Sequence, residues 1–231
     1  MHPAAAVLVS YLSGSIPAAW LAGKWAGVDL RTQGSGNLGA TNVLRVLGPR
    51  IGAAVFAVDI VKGAWPVLFL PPLILATDAS RVWWAVACGV AAIIGHTRPI
   101  FLGFGKGGKG VATACGVFLA LAPLQTALTL LIFMVVVLSS GYVSLASLTG
   151  AIALPVLIVV SAVGGARSPL FYVAVLTSIF VFLTHRGNIE RLRAGTEYRF
   201  GRAANFGRRP SLAIGVGLLI LAAAFLAAGV G

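Results

Sequence analysis

Three short polar segments hold most of the chemistry of this chain, and each combines glycines with basic residues. In the first, residues 24–50, the central run is Gly34-Ser35-Gly36-Asn37-Leu38-Gly39-Ala40-Thr41-Asn42, followed by Arg45. Glycines let the backbone approach a ligand closely and present N–H groups to an anion. Neutral donors stand at Ser35, Asn37, Thr41 and Asn42, and the planar fork of Arg45 suits phosphate. A helix that starts near Thr41 would add a favourable N-terminus, so we interpret the segment as a phosphate site.

The second segment, residues 96–110, offers a different cradle for an anion. It contains Gly95-His96-Thr97-Arg98-Pro99 and then Phe104-Gly105-Lys106-Gly107-Gly108-Lys109-Gly110. Residues 103–109 fit G-x-x-x-x-G-K, but Gly110 stands where a nucleotide P-loop needs Ser or Thr, and no strand precedes it. We therefore exclude a nucleotide P-loop and expect backbone amides and two ammonium groups to bind phosphate. A glycine hinge with lysines at the membrane surface is the alternative.

The third segment, residues 185–210, is the most strongly basic of the three. It begins with His185-Arg186-Gly187-Asn188-Ile189-Glu190-Arg191-Leu192 and continues to Gly195-Thr196-Glu197. On one helix His185, Asn188 and Leu192 would share a face, because they are separated by three and four positions. The alternative is a helix beside the membrane that binds lipid headgroups.

Two ionisable residues lie inside an apolar stretch. Asp59 and Lys62 are three positions apart, and charged groups within a membrane are costly unless they are paired or functional. We expect a structural ion pair that faces neighbouring helices, with a supporting role near the site as the second possibility.

The amino-acid composition indicates the kind of protein in which these three segments lie. The chain has 231 residues, of which 59% are hydrophobic and 10% are charged, and its mean hydropathy is +0.99. A soluble domain carries roughly 25% charged residues, so we expect a membrane protein. Basic residues number 17 against 5 acidic ones. They lie in short loops between apolar stretches, which favours anionic lipids or substrates and excludes nucleic acid. We expect no metal and no cofactor.

The apolar stretches predict an all-α, polytopic helical membrane protein. They lie at residues 4–23, 51–76, 82–95, 111–139, 142–163, 169–184 and 211–231. The polar segments hold 14 of the 17 basic residues, which places all three in the cytoplasm and the N-terminus outside. An even number of spans must then separate them, so residues 111–139 must divide, and Pro123 is the expected break. The result is a seven-span core within a domain of residues 1–210, with an additional C-terminal transmembrane helix at 211–231.

Together the segments resemble the bacterial acyl-phosphate:glycerol-3-phosphate acyltransferases, the PlsY-type membrane family. Ser35 to Arg45 match S-G-N-x-G-A-T-N-x-x-R. The second segment resembles G-H-x-x-P-x-F-L followed by K-G-G-K-G-V-A-T, and the third resembles H-R-x-N-I-x-R-L-x-x-G-T-E. The Asp59-Lys62-Gly63 stretch also resembles the family, and the likeness covers about residues 5–200. Gly105 is an extra residue before the K-G-G-K run, and Thr184 stands where a basic residue often precedes the histidine.

The resemblance implies transfer of a fatty acyl group from acyl phosphate to the 1-position of glycerol 3-phosphate. Lysophosphatidic acid and inorganic phosphate would be the products, made at the cytoplasmic face of the bacterial inner membrane. Membrane lipids would surround the protein, and an enzyme that makes acyl phosphate is a further partner. The resemblance gives catalytic roles to Ser35, Arg45, His185 and Asn188. It gives substrate binding to Gly36, Asn37, Gly39, Thr41, Asn42, His96, Lys106, Gly107, Gly108, Lys109 and Glu197.

Two other functions stay open at this stage. A transporter of phosphorylated anions would also need basic loops, but it would more naturally place charges near the middle of the bilayer. An acyltransferase with a coenzyme A or carrier-protein donor would have a similar sequence.

Whether the protein supplies a general base depends on its histidines. A Ser-His-acid arrangement needs a histidine held by a carboxylate, and the candidates are His96 and His185. Besides Asp29, the acids on the cytoplasmic side are Glu190 and Glu197, and Glu190 would lie about 140° round a helix from His185. We therefore expect no obligatory general base, with the acyl phosphate itself taking the proton. The opposing interpretation makes His185 the base.

Overall fold

The computed structural model describes residues 1–74, 78–161 and 168–200. These residues form ten α-helices, joined by turns and two 3₁₀ turns, with no strand among them. The helices are α1 (Pro3–Gly14), α2 (Ala18–Trp25), α3 (Ala40–Leu47), α4 (Pro49–Phe69), α5 (Asp78–Thr97), α6 (Val111–Leu121), α7 (Pro123–Ser140), α8 (Val143–Val160), α9 (Pro169–Thr184) and α10 (Arg186–Arg193). The all-α prediction is confirmed over these ranges. The predicted span at 211–231 lies outside them.

Several helices are long and apolar enough to cross a membrane. Five candidate spans are present in the described residues: Pro3–Trp25, Pro49–Leu73, Ser80–Leu102, Pro123–Ser140 and Val143–Val160. A sixth results if α9 and α10, bent by 59°, count together. At 1.5 Å per residue α6 is only about 16 Å long. The membrane class follows from these helices, whereas the seven-span count stays a prediction.

Prolines set two of the breaks between helices. The expected division of residues 111–139 is confirmed, because α6 ends at Leu121 and α7 begins at Pro123. The stretch at 4–23, predicted as one span, lies within one candidate span, Pro3–Trp25, but this span consists of α1 and α2, separated before Ala18. Pro17 lacks an N–H and cannot continue the hydrogen-bond ladder of α1. The sequence pattern missed this break because both halves are apolar.

The helices form two compact units, residues 1–121 with α1–α6 and a second unit from Ala122 onward with α7–α10. In the first unit α4 packs on α6 and α1 packs on α5. A Cβ atom added at Gly63 would overlap the Thr113 carbonyl oxygen, and one at Gly14 would overlap that of Ala92. Such close backbone approach is typical of helix pairs in membranes, where small residues replace the hydrophobic effect as the basis of packing.

In the second unit Arg199 and Phe200 of the third polar segment fold back onto the α7–α8 turn. The Phe200 N–H donates to the Gly141 carbonyl oxygen at 2.7 Å. Arg199 Nε donates to the Ser140 carbonyl oxygen at 3.0 Å. These two residues and this turn therefore lie at the same end of the second unit, as expected if the two intervening helices, α8 and α9, each cross the membrane.

Single-cysteine labelling tests the topology. In a chain with Cys88 and Cys115 replaced by Ala, we expect Thr32→Cys, Lys106→Cys and Ala194→Cys to resist impermeant thiol reagents in intact cells. The same cysteines should react in inverted vesicles, because all three positions are exposed in polar segments. His2→Cys is the control that should react from outside. Reaction of Ala194→Cys in intact cells would contradict an even number of spans between the segments.

Candidate functional site

The first glycine-rich segment is a fixed loop rather than a flexible one. Asn42, on the first turn of α3, is 1% exposed. Its Oδ1 accepts from the Ser35 N–H at 2.8 Å. Its Nδ2 donates to the carbonyl oxygens of Leu30 at 3.1 Å and Gln33 at 3.0 Å. The side-chain amide, predicted as a substrate contact, thus holds the loop in shape.

Glycine is required where this loop turns. Gly34 and Gly36 have φ angles of +60° and +68°, which side chains other than glycine rarely adopt. A Cβ at Gly34 would also overlap the Oδ1 of Asn42. The glycine pattern therefore encodes one particular loop conformation, built around the amide.

The loop leads directly into the N-terminus of α3. This helix starts at Ala40, one residue from the predicted start, with Gly39 as its N-cap. Ser35 and Thr41 are exposed, whereas Asn37 and Arg45 are half-buried. Two hydroxyl groups and the positive end of a helix dipole thus lie together, an arrangement that favours an anion.

Arg31, in the same segment, forms a surface ion pair with Asp29, so we do not count it among the candidate phosphate ligands. Arg31 Nε and Nη2 donate to the Asp29 carboxylate at 2.9 and 2.8 Å. These hydrogen bonds hold the pKa of Asp29 below its usual value, so the carboxylate stays ionised. Both side chains are exposed, and such surface pairs contribute little to stability.

The second segment turns back on the end of α5. The Gly107 N–H donates to the Thr97 carbonyl oxygen at 3.0 Å, and the Gly108 N–H donates to that of His96 at 3.2 Å. Both glycines are buried, whereas Lys106 is exposed and Lys109 is half-buried. The ring of His96 lies against Gly108 so closely that a Cβ there would overlap Nε2. His96 is 6% exposed and therefore lies behind the turn.

The structure brings the first and second segments together. A Cβ added at Gly108 would also lie 2.9 Å from the carbonyl oxygen of Leu38, in the first segment. Leu38 belongs to a core cluster with Leu30 and Val43, which fixes the first loop against α3. Two glycine-rich backbones with basic side chains thus meet within the first unit.

A buried ion pair lies behind them. Lys62 Nζ is 2.7 Å from Asp59 Oδ1, and the two side chains are 4% and 2% exposed. The predicted pairing is confirmed. His96 Nδ1 lies 3.5 Å from the same oxygen, a contact that the sequence analysis missed because it treated Asp59 as part of a span. The inventory of acids near a histidine was therefore incomplete.

The third segment belongs to the second unit, where its geometry differs from the prediction. His185 lies at the bend between α9 and α10 and does not share one helix with Asn188 and Leu192. Its Nδ1 lies 2.8 Å from the Val181 carbonyl oxygen. Since a carbonyl oxygen only accepts, Nδ1 carries a proton. One ring nitrogen of this histidine is thus held by a backbone carbonyl.

Glu197 is the centre of the polar cluster in this unit. Its Oε1 accepts from Asn188 Nδ2 at 2.6 Å and from Ser144 Oγ at 2.9 Å. Its Oε2 accepts from Arg191 Nε at 2.7 Å. Partial burial raises the pKa of this carboxyl, but the three hydrogen bonds outweigh that effect and hold the pKa below its usual value. Ser144 was missed, because nothing in its apolar stretch distinguishes it from the helical serines nearby.

A metal site requires several ligating side chains close together. Among the residues that the structure describes, no three His, Cys, Asp or Glu side chains are grouped as a metal site would need.

Comparison with known proteins decides the family. The sequence model of the glycerol-3-phosphate acyltransferase family matches residues 4–195. The chain belongs to this family. The glycerol-3-phosphate acyltransferase of Geobacter metallireducens is 52% identical over 83% of this chain and 94% of its own length. That of Geotalea daltonii is 45% identical over 85% and 96%. The protein is thus a membrane acyltransferase, and the transporter alternative is dropped.

Solved structures agree with this assignment. A crystal structure of PlsY, an integral membrane glycerol 3-phosphate acyltransferase, in its glycerol 3-phosphate form is 39% identical in sequence. The structural match covers 86% of this chain and 96% of the PlsY chain, with a TM-score of 0.76. A lysophosphatidic acid form of the same protein matches with a TM-score of 0.73. The resemblance inferred from the three segments is confirmed at the level of the family.

Gly108→Ala tests the contact between the His96 ring and the glycine turn. The added methyl group must displace the ring, so we expect kcat/KM for glycerol 3-phosphate to fall by at least about tenfold, or about 1.4 kcal/mol. The matched control is Gly187→Ala, whose methyl group would meet only Arg191 Nη1, at 3.5 Å. Equal activity of the two variants would show that the turn does not depend on this contact.

Glu197→Gln tests the charge at the centre of the second cluster. Because the pKa of Glu197 is lower in the folded protein than its ordinary value of 4.5, ionised Glu197 contributes stability above that value. The contribution is lost as pH falls through the lowered folded pKa. We therefore expect the melting-temperature difference between wild type and Glu197→Gln to be largest at neutral pH and to shrink on acidification. Exposed Glu190, replaced by Gln, is the control, and the same pH trend there would contradict the assignment.

Proposed function

We propose that this enzyme transfers a fatty acyl group from acyl phosphate to the 1-position of glycerol 3-phosphate. The products are 1-acyl-glycerol 3-phosphate, which is lysophosphatidic acid, and inorganic phosphate. The chain belongs to an acyltransferase family, and one observation in its structure carries the proposal. The first and second segments, both rich in glycine and basic side chains, meet where the backbones of Leu38 and Gly108 approach each other. Both substrates carry a phosphate group, which such backbones bind well.

In the first unit we assign the phosphate contacts to both segments. Ser35 and Arg45 act at the reacting centre and on phosphate, with exposed Thr41 and the backbone at Gly36, Asn37 and Gly39 beside them. Glycerol 3-phosphate is held by the turn at Gly107 and Gly108 together with the ammonium groups of Lys106 and Lys109. The half-buried position of Arg45 supports this role, because partial removal from water strengthens a charged hydrogen bond.

In the second unit we propose that His185, Asn188 and Glu197 serve the same reaction. Glu197 fixes the amide of Asn188 through a 2.6 Å hydrogen bond. The contact of His185 Nδ1 with the Val181 carbonyl oxygen leaves Nε2 as the basic atom of the neutral ring. Both side chains are nearly buried, at 3% and 7% exposure, so their orientations are defined before substrate binds.

The chemistry does not require a general base from the protein. The 1-hydroxyl oxygen of glycerol 3-phosphate attacks the acyl carbonyl carbon, and the carbon–oxygen bond to phosphate breaks. The hydroxyl proton passes to a phosphate oxygen of the donor, so the products are the ester and inorganic phosphate. Positioning two substrates can supply roughly 7–11 kcal/mol of a barrier. The acyl phosphate is already an activated anhydride, which supports this assignment.

We also propose the setting of the reaction. The three polar segments face the cytoplasm from the bacterial inner membrane, with the N-terminus outside. A seven-span domain of residues 1–210 carries the chemistry. The distribution of basic residues supports this orientation. Acyl phosphate then comes from an enzyme on the cytoplasmic side, and membrane lipids surround the acyl chain.

The donor is tested with purified protein and radiolabelled glycerol 3-phosphate. We expect labelled lysophosphatidic acid with acyl phosphate and none with acyl-coenzyme A or acyl-carrier protein. The acyl phosphate bond is already activated, and the site is rich in phosphate-binding groups. Activity with a thioester donor and none with acyl phosphate would overturn the donor assignment and leave the family assignment intact.

The role of His185 is tested by the pH dependence of turnover at saturating substrates. We expect the profile of His185→Asn to keep the shape of the wild-type profile at a lower rate, since the ring orients substrate and does not take the proton. An acid limb near the ordinary histidine pKa of about 6.5, present in wild type and absent from the variant, would identify His185 as the general base. His96→Asn, measured in parallel, shows whether any such limb belongs to the other histidine.

A further inference from the structure

Three ionisable side chains lie together in the interior of the first unit. Asp59, Lys62 and His96 are 2%, 4% and 6% exposed. Burying charges is costly, and replacing a buried ion pair by apolar side chains is often neutral or stabilising. In a membrane helix such groups mark function more often than stability. The cluster therefore calls for a role beyond neutralising its own charge.

The Asp59 carboxylate connects the two glycine-rich segments from behind. Lys62 Nζ lies 2.7 Å from Asp59 Oδ1 and also donates to the Ile16 carbonyl oxygen at 2.8 Å. Ile16 lies at the break between α1 and α2, and α2 leads into the first segment. On its other side Asp59 Oδ1 lies 3.5 Å from His96 Nδ1. His96, the first residue of the second segment, in turn contacts the Gly107–Gly108 turn of that segment.

The His96 ring and the glycine turn are mechanically coupled. The main chain of His96 accepts the Gly108 N–H at 3.2 Å. The ring edge at Nε2 lies against the Gly108 backbone with no room for a methyl group between them. A rotation of the ring would therefore push on Gly108, and a shift of the turn would move the ring. The orientation of one fixes the other.

We propose that Asp59 is a positioning residue for the acyl transfer reaction. Its carboxylate, which can only accept hydrogen bonds, holds the Nδ1–H edge of His96 and thereby fixes the Gly107–Gly108 turn for the phosphate of glycerol 3-phosphate. Lys62 neutralises the carboxylate and ties it to the helix break before the first segment. The inference rests on the proposed function of the turn and adds a residue that does not touch substrate.

The tautomer of His96 gives a test that needs no substrate. The chain has three histidines, so the ¹⁵N spectrum of histidine-labelled protein can be assigned with His2→Gln and His185→Gln variants. We expect Nδ1 of His96 to be protonated in wild type. In Asp59→Asn/Lys62→Met, which removes both charges together, we expect the Nδ1 resonance of His96 to shift. A wild-type ring that is neutral and protonated only on Nε2 overturns the proposal, whether or not the variant folds.

Kinetics separate positioning from loss of stability. In Asp59→Asn/Lys62→Met we expect KM for glycerol 3-phosphate to rise on the order of tenfold, an effect within the range of coupling between residues in contact. Turnover at saturation should stay within about twofold, as for lost ground-state and transition-state binding alike. Adding His96→Gln should cause no further rise, because Asp59 acts through that ring.

The matched control is Val67→Ala, which leaves a cavity in the same helix, α4, without removing a charge. Val67 is 5% exposed. If the double variant behaves like Val67→Ala, or if its effect and that of His96→Gln are additive, Asp59 has only a structural role. Failure of the proposed function would look different: wild type would make no lysophosphatidic acid from acyl phosphate, while the ¹⁵N spectrum would still report the Asp59–His96 contact.

Discussion

The buried amide of Asn42 is the interaction on which the rest of the first unit's candidate site depends. It satisfies the Ser35 N–H and two carbonyl oxygens at once, and these are groups that no helix or sheet pairs in a glycine-rich loop. Leaving a buried polar group without a partner costs about 1–3 kcal/mol. Without this amide the loop would lose the shape that presents Ser35 beside the start of α3. The loop that we propose as a phosphate site is thus held by one neutral side chain.

The second constraint is close packing between helices. Glycines let the backbones touch where α1 packs on α5 and where α4 packs on α6. Helix α4 also packs on α5, which brings Asp59 on α4 to His96 at the end of α5. The ion pair with Lys62 offsets part of the free-energy cost of burying the Asp59 carboxylate. The same packing places the second segment, which follows α5, against the carbonyl of Leu38 in the first. Small residues, one ion pair and one amide therefore account for the meeting of two segments that are far apart in sequence.

The sequence predicts what depends on local pattern. Hydropathy indicates the apolar helices of residues 1–74, 78–161 and 168–200, Pro123 indicates the break after Leu121, and the spacing of Asp59 and Lys62 indicates their pairing; all three are confirmed. Contacts set by tertiary packing were missed: His96 with Asp59, and Ser144 with Glu197. The break before Ala18 and the bend at His185 were missed because apolar or helical pattern continues across both. Motif spacing thus identified candidate residues, but it did not predict that Asn42 and His96 contact the glycine-rich loops themselves.

Equilibrium binding of glycerol 3-phosphate to wild type and Asn42→Asp is the most direct test of this account. Aspartate has almost the shape of asparagine and keeps an acceptor for the Ser35 N–H, but it has no donor for the carbonyl oxygens of Leu30 and Gln33. Titration calorimetry on purified protein should show saturable binding to wild type that inorganic phosphate displaces. It should show binding at least about tenfold weaker, or about 1.4 kcal/mol, in a variant that still unfolds cooperatively. Unchanged affinity in Asn42→Asp would contradict the claim that a loop held by this amide forms the phosphate site.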